Sequence, residues 1–103
     1  MYACTVRFVL EPYSQWEAEH MTEAALHFLK QREGFVDLVV LGEYETGDYE
    51  WVVVWDSKTA ALRVREAWCE EFKNLIGDYG VLNEPYIEFY HIIHPVSNSQ
   101  SNG

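Results

Sequence analysis

Basic side chains are scarce in this sequence: seven Lys and Arg face seventeen Asp and Glu, leaving a formal charge of −10. A surface of that sign repels phosphate backbones and anionic headgroups, so neither nucleic acid nor a membrane surface is expected as a partner. Cysteine is nearly absent as well. Cys4 and Cys69 stand far apart in the chain, and a domain with an adequate apolar core has no need of a disulfide, so both read as buried thiols of a reducing compartment. No apolar run approaches the roughly eighteen residues that span a bilayer, and the amino terminus shows no basic stretch followed by an apolar core. A soluble, cytoplasmic protein is the expectation. CxxC and HExxH pairs, a phosphate-cradling glycine loop and a nucleophile elbow are all missing, which argues against a metalloenzyme, a nucleotide-dependent enzyme or a standard hydrolase.

Apolar residues, by contrast, are plentiful, at 49 % of the 103, with 16 % aromatic. That supports one packed domain, expected over residues 1–95, and the small polar residues of 96–103 read as a disordered C-terminal tail. Residues 2–11 alternate with period two, Tyr2, Cys4, Val6, Phe8 and Leu10 against Ala3, Thr5, Arg7, Val9 and Glu11, which is a strand. Ser14 followed by Glu17 reads as a capping box opening a helix over about 15–32. Its stripe is Met21, Ala24, Ala25, Phe28 and Leu29, with Glu19, Glu23 and Lys30 pointing away and Gly34 as the left-handed stop.

Residues 35–43 and 49–56 read as two strands of a hairpin turned by Glu45-Thr46-Gly47-Asp48. In the second, Trp51, Val53 and Trp55 share one face and Val52 and Val54 the other, so both faces need cover. Asp56 or Ser57 caps a second amphipathic helix, with Ala61, Val64, Trp68, Phe72, Leu75 and Ile76 on its apolar side, and residues 86–94 form a last strand. The order β-α-β-β-α-β defines an α+β, ferredoxin-like fold: a four-stranded antiparallel sheet with two helices on one face. The other face then carries several large apolar residues, and a homodimer through it, a dimeric α/β barrel, would cover them.

Two local features, Glu33-Gly34-Phe35-Val36 and Trp55-Asp56-Ser57-Lys58-Thr59-Ala60-Ala61, resemble the antibiotic biosynthesis monooxygenase-like branch of the dimeric α/β-barrel superfamily over roughly residues 2–94. The resemblance implies cofactor-independent oxidation of electron-rich aromatic substrates, as some members perform, or haem degradation, as others do. Trp51 stands where the aromatic-oxidising members carry an asparagine, four residues before the strand tryptophan, and residues 58–76 hold no histidine of the haem-degrading kind.

Several residues stand out as site candidates. Arg65 falls inside the apolar stripe of the second helix, where a charge needs a partner or a wet cavity; an anion or carbonyl ligand is one reading, a snorkelling side chain the other. Trp16, His20 and His27 gather within about 40° on the border of the first helix's apolar face. His20 and His27 lie two turns, about 10 Å, apart, too far for a shared metal. On the last strand His91 shares a face with Ile87, Phe89 and Ile93, and Tyr90 one with Glu88, with an Arg7–Glu88 ion pair possible across the sheet. His91, His27, Arg65 and Tyr90 are therefore the candidate catalytic groups, and Trp55, Trp68, Phe72, Trp16 and His20 the candidate substrate walls, with no metal and no cofactor. Together they describe a monooxygenase or related enzyme acting on a small aromatic, quinol-like substrate held between helices and sheet. The alternative is a non-catalytic protein of the same fold that binds a small apolar ligand or serves as a dimeric interaction module.

Overall fold

The period-two segments and the amphipathic stripes become the expected elements. The computed structural model of the chain describes residues 1–63, 65, 70, 71, 74 and 79–93, and their order is β1 (Tyr2–Val9), α1 (Gln15–Lys30), β2 (Phe35–Glu43), β3 (Asp48–Trp55), α2 (Lys58–Arg63) and β4 (Tyr86–His91). The sheet runs β2-β3-β1-β4 with every neighbour antiparallel. Trp68, Phe72 and Cys69, the rest of the expected stripe of α2, and the tail at 96–103 lie outside the described residues.

Cross-strand register decides which side chains meet. Tyr2 pairs with Trp55, Cys4 with Val53, Val6 with Trp51 and Phe8 with Tyr49, so these eight share the face under the helices, and all are buried. Burying an aromatic or a branched aliphatic of this size is worth roughly 1.5–3 kcal/mol each. Met21, Ala25 and Leu29 of α1 close over them, joined by Ala60 and Ala61 of α2. Phe8 stacks on Tyr49 at 5.5 Å and meets Trp51 edge-on at 5.0 Å, so the core is a continuous aromatic layer along β1 and β3.

The second face carries Ala3, Thr5, Arg7 and Val9, with Val52, Val54 and Glu50 from β3, Val39 and Leu41 from β2, and Tyr86, Glu88 and Tyr90 from β4. No element of the described chain covers it, and Val39, Leu41, Tyr86 and Tyr90 are exposed. Arg7 pairs there with Glu50 at 3.5 Å rather than with Glu88. Antiparallel pairing sets Arg7 directly opposite Glu50, whereas Glu88 stands opposite Thr5 and takes hydrogen bonds from two tyrosines.

The two features that carry the family resemblance prove to be one junction. Gly34 sits at φ +90°, and a Cβ there would run into the Ala60 side chain and come within 2.9 Å of Asp56 Oδ1. The Asp56 amide donates to the Gly34 carbonyl at 2.8 Å, Phe35 meets Trp55 edge-on at 6.0 Å, and Arg63 pairs with Glu33 at 3.1 Å. Only a residue without a side chain fits that left-handed turn and that close approach together. Ser57 caps α2 through its hydroxyl, which accepts from the Ala60 amide at 3.1 Å. Ser14 occupies the N-cap of α1 but makes no side-chain cap bond, so the expected capping box does not form. Tyr13, in the left-handed region at φ 64°, instead donates its amide to the Tyr44 carbonyl at 2.7 Å and fastens the start of α1 to the hairpin loop.

Candidate functional site

The Tyr13–Tyr44 bond has a geometric consequence. It holds the first turns of α1 beside the β2–β3 hairpin, and between them lies a cleft of about 380 Å³ lined by Ala18, Glu19, Thr22, Glu23, Val40, Tyr44 and Tyr49. Ala18 and Tyr49 are buried, Thr22 is half-buried, and Glu19, Glu23, Val40 and Tyr44 are exposed, so the first two form the floor and the last four the mouth. Tyr49 reaches that floor because Gly42 stands opposite it in the ladder; a Cβ at Gly42 would collide with the Tyr49 ring.

The Tyr49 side chain sets the chemistry of the cleft. The residue is 6 % exposed, and its hydroxyl is buried with no hydrogen-bond partner. Burial raises its pKa above the ordinary tyrosine value, and the Tyr44 phenol and the Glu19 carboxylate push it further the same way. An orphaned hydroxyl in a dry setting costs roughly 1–3 kcal/mol, which a bound acceptor would recover. The phenol stays protonated in neutral solution and keeps an unused donor.

None of the candidates among the described residues lines this cleft. Trp16, His20 and His27 project about 140–180° from the centre of the Met21–Ala25–Leu29 stripe at 100° per residue, not along its border. Accordingly they are exposed: Trp16 lies over His20 with ring centroids 4.1 Å apart, and the Gln31 amide nitrogen donates to His27 Nε2 at 3.2 Å. Glu19 and Glu23 are exposed, as expected, yet both border the cleft beside Val40 of β2, the edge strand of the sheet.

The remaining candidates are scattered. Trp55 is 2 % exposed and fills the core instead of lining an opening. His91 takes the helix-side face, as the alternation predicts, yet it is exposed, meeting Tyr2 edge-on at 5.2 Å. It stands at the end of an edge strand, which removes the buried surroundings the sequence suggested. Arg65 is exposed with its guanidinium 5.8 Å from the Phe89 ring centre, the snorkelling arrangement rather than a buried charge. Tyr90 lies on the opposite sheet face, where its hydroxyl and that of Tyr86 both donate to Glu88. Those bonds hold the Glu88 carboxyl below its ordinary pKa and raise both phenols.

That opposite face has the larger hollow, about 580 Å³, bordered by Arg7, Val9, Leu41, Glu50, Asn83 and Tyr86 among others. Arg7 pairs there with Glu50, and Asn83 Oδ1 accepts from the Val9 amide at 3.0 Å. Tyr49, with its unpartnered hydroxyl, borders this hollow as well as the smaller cleft. Among the described residues no group of His, Cys, Asp and Glu is arranged to hold a metal ion.

The architecture matches known structures end to end. The cofactor-independent oxygenase SnoaB of Streptomyces nogalater aligns over 92 % of this chain and 95 % of its own with a TM-score of 0.70 at 16 % identity. The fold is that of the antibiotic biosynthesis monooxygenases. The monooxygenase from the gene ActVA-Orf6 of Streptomyces coelicolor, solved with nanaomycin D, aligns over 92 % of this chain and 89 % of its own, with a TM-score of 0.71 and 14 % identity. A further protein solved as an antibiotic biosynthesis monooxygenase aligns over 91 % and 100 %, with a TM-score of 0.65 and 10 % identity. No family model and no curated protein matches the sequence. At these identities the likeness concerns the monooxygenase fold, and the chemistry must be argued from the cleft. No helix among the described residues is long and apolar enough to cross a membrane.

Proposed function

We propose that the protein binds a small, flat, electron-rich aromatic molecule in the cleft between α1 and the β2–β3 hairpin and oxidises it with dioxygen, without a metal or organic cofactor. The observation that carries this reading is the Tyr49 hydroxyl, buried and unpartnered at the cleft floor. It donates to a phenol or carbonyl oxygen of the substrate. As the substrate gives up a proton to water at the open mouth, negative charge gathers on that oxygen, and the fixed donor stabilises it. For an anthrone, the ring methylene loses two hydrogens and gains one oxygen atom of O₂ as a carbonyl, while the other oxygen atom leaves with both hydrogens as water. The substrate supplies the electrons. The monooxygenase names of the similar structures support this reading. So does the aromatic layer of Phe8, Tyr49 and Tyr44 behind and beside the cleft.

Two copies pair through the open sheet face in this reading, because Val39, Leu41, Val52, Val54 and Tyr86 form an apolar surface that no element of the described chain covers. A ligand-binding protein without turnover is the second reading, favoured by the lack of any imidazole among the described residues lining the cleft. Oxygen uptake with anthrones and hydroquinones, compared between the natural chain and Tyr49→Phe, separates the two. Turnover that falls on loss of the hydroxyl supports the enzyme. Binding with no oxygen consumed leaves the second reading.

A further inference from the structure

The cleft mouth holds two charges of one sign. Glu19 and Glu23 stand four residues apart on α1, one turn above the other, and both line the cleft. Like charges at that spacing repel each other. Among the described residues neither has a cationic partner: the ion pairs are Arg7–Glu50 and Arg63–Glu33, and no Lys or Arg lines the cleft. Below them lies the buried, partnerless Tyr49 hydroxyl, close enough to Glu19 for its carboxylate to bear on the phenol. A ligand that satisfied the whole cleft would therefore offer an oxygen to the floor and a positive charge to the mouth.

Resting on the reading of this cleft as the binding site, we propose that its preferred substrates are aromatic molecules carrying a ring oxygen at one end and a protonated amine at the other. Anionic aromatics of the same size are disfavoured. The ring packs between Val40, Tyr44 and the α1 backbone at Ala18, its oxygen accepts from Tyr49, and its ammonium group lies between Glu19 and Glu23. The ammonium relieves the repulsion between the two carboxylates, so its attraction adds to an interaction already unfavourable in the empty cleft.

Three catechols sharing one ring test this: dopamine, 4-methylcatechol and 3,4-dihydroxyphenylacetate, titrated calorimetrically into the full chain without oxygen and at low salt. Dopamine is expected to bind about tenfold more tightly than 4-methylcatechol, and the acid about tenfold more weakly, with the spread shrinking as salt is added. Glu19→Gln combined with Glu23→Gln brings the three within about twofold of one another, because the charge term is removed. Tyr49→Phe weakens all three alike. Equal affinities for the three catechols in the natural chain, or a spread that survives the double glutamine variant, overturn the proposal. Oxygen uptake on neutral substrates with no charge preference sinks the amine inference alone, and amine-selective binding with no oxygen uptake sinks the oxygenase alone.

Discussion

Replacing Tyr49 by phenylalanine should make the protein more stable and less able to bind. The side chain is 6 % exposed, stacks on Phe8 at 5.5 Å and keeps a hydroxyl that is buried without a partner. Phenylalanine preserves the ring and removes only that oxygen. Leaving a polar group dry and unpaired costs about 1–3 kcal/mol, so its removal stabilises the ligand-free chain by about 1 kcal/mol once the small void is allowed for. In a domain of this size, 1 kcal/mol raises the melting temperature by about 4–8 °C. The pH dependence carries the same signature. Burial raises the Tyr49 pKa above its value of 10.0, so the folded state disfavours the phenolate, and stability drains away as pH climbs past the ordinary tyrosine range. Tyr49→Phe removes that share of the alkaline loss. Binding moves the opposite way: losing one hydrogen bond worth about 0.5–1.5 kcal/mol weakens an oxygen-bearing aromatic about two- to tenfold. Thermal melts followed by circular dichroism, with titration calorimetry on the same samples, read both effects. A lower melting temperature in the phenylalanine variant would show that the hydroxyl has a partner after all, and the reasoning about the cleft would fall with it.

Gly34→Ala is expected to cost about 2–4 kcal/mol, from the left-handed φ and the collision with Ala60 and Asp56 together; a denaturant midpoint unchanged from the natural chain contradicts this. Val54→Lys, on the open sheet face, should convert a dimer to a monomer near 12.1 kDa by light scattering, whereas an unaltered mass in both proteins argues against pairing through that face. Glu88 has a lowered pKa because Tyr90 and Tyr86 donate to it. The stability it confers is present above the ordinary carboxylate range and disappears as pH falls through its depressed value. Tyr86→Phe with Tyr90→Phe should flatten that acid limb, and identical acid unfolding profiles would show that the three groups are uncoupled.

Much of the fold could be read directly from periodicity. The bounds of β2 match the β-branched run at 35–43, and β1 and β3 fall within a residue or two of their alternating segments, because each strand has one buried face that fixes its register. The site was far less legible. Sequence patterns rank residues by chemical rarity, so the histidines, Arg65 and the tryptophans drew attention. The cleft depends instead on how α1 lies over an edge strand and on a glycine opposite a tyrosine. Tyr49 looked like an ordinary strand residue, and only its register against Gly42 and the absence of a donor or acceptor at its hydroxyl set it apart. Glu19 and Glu23 read as solvent-facing because a helical wheel records angle from the stripe and carries no information about what stands beside the helix.

The glycine junction also bears on how this fold supports differing chemistry. Gly34, Ala60 and Asp56 clamp the end of β2 nearest Phe35, while Val40 and the hairpin that form the cleft stand toward the other end. Five residues of β2 separate Phe35 from Val40, about 17 Å at 3.3 Å per residue. A locksmith would recognise the division: the hinge that makes the door recognisable sits on one jamb and the lock on the other. Changing the residues around Tyr49 need not disturb the clamp, so proteins that share the junction are free to receive different molecules at the far end of the strand.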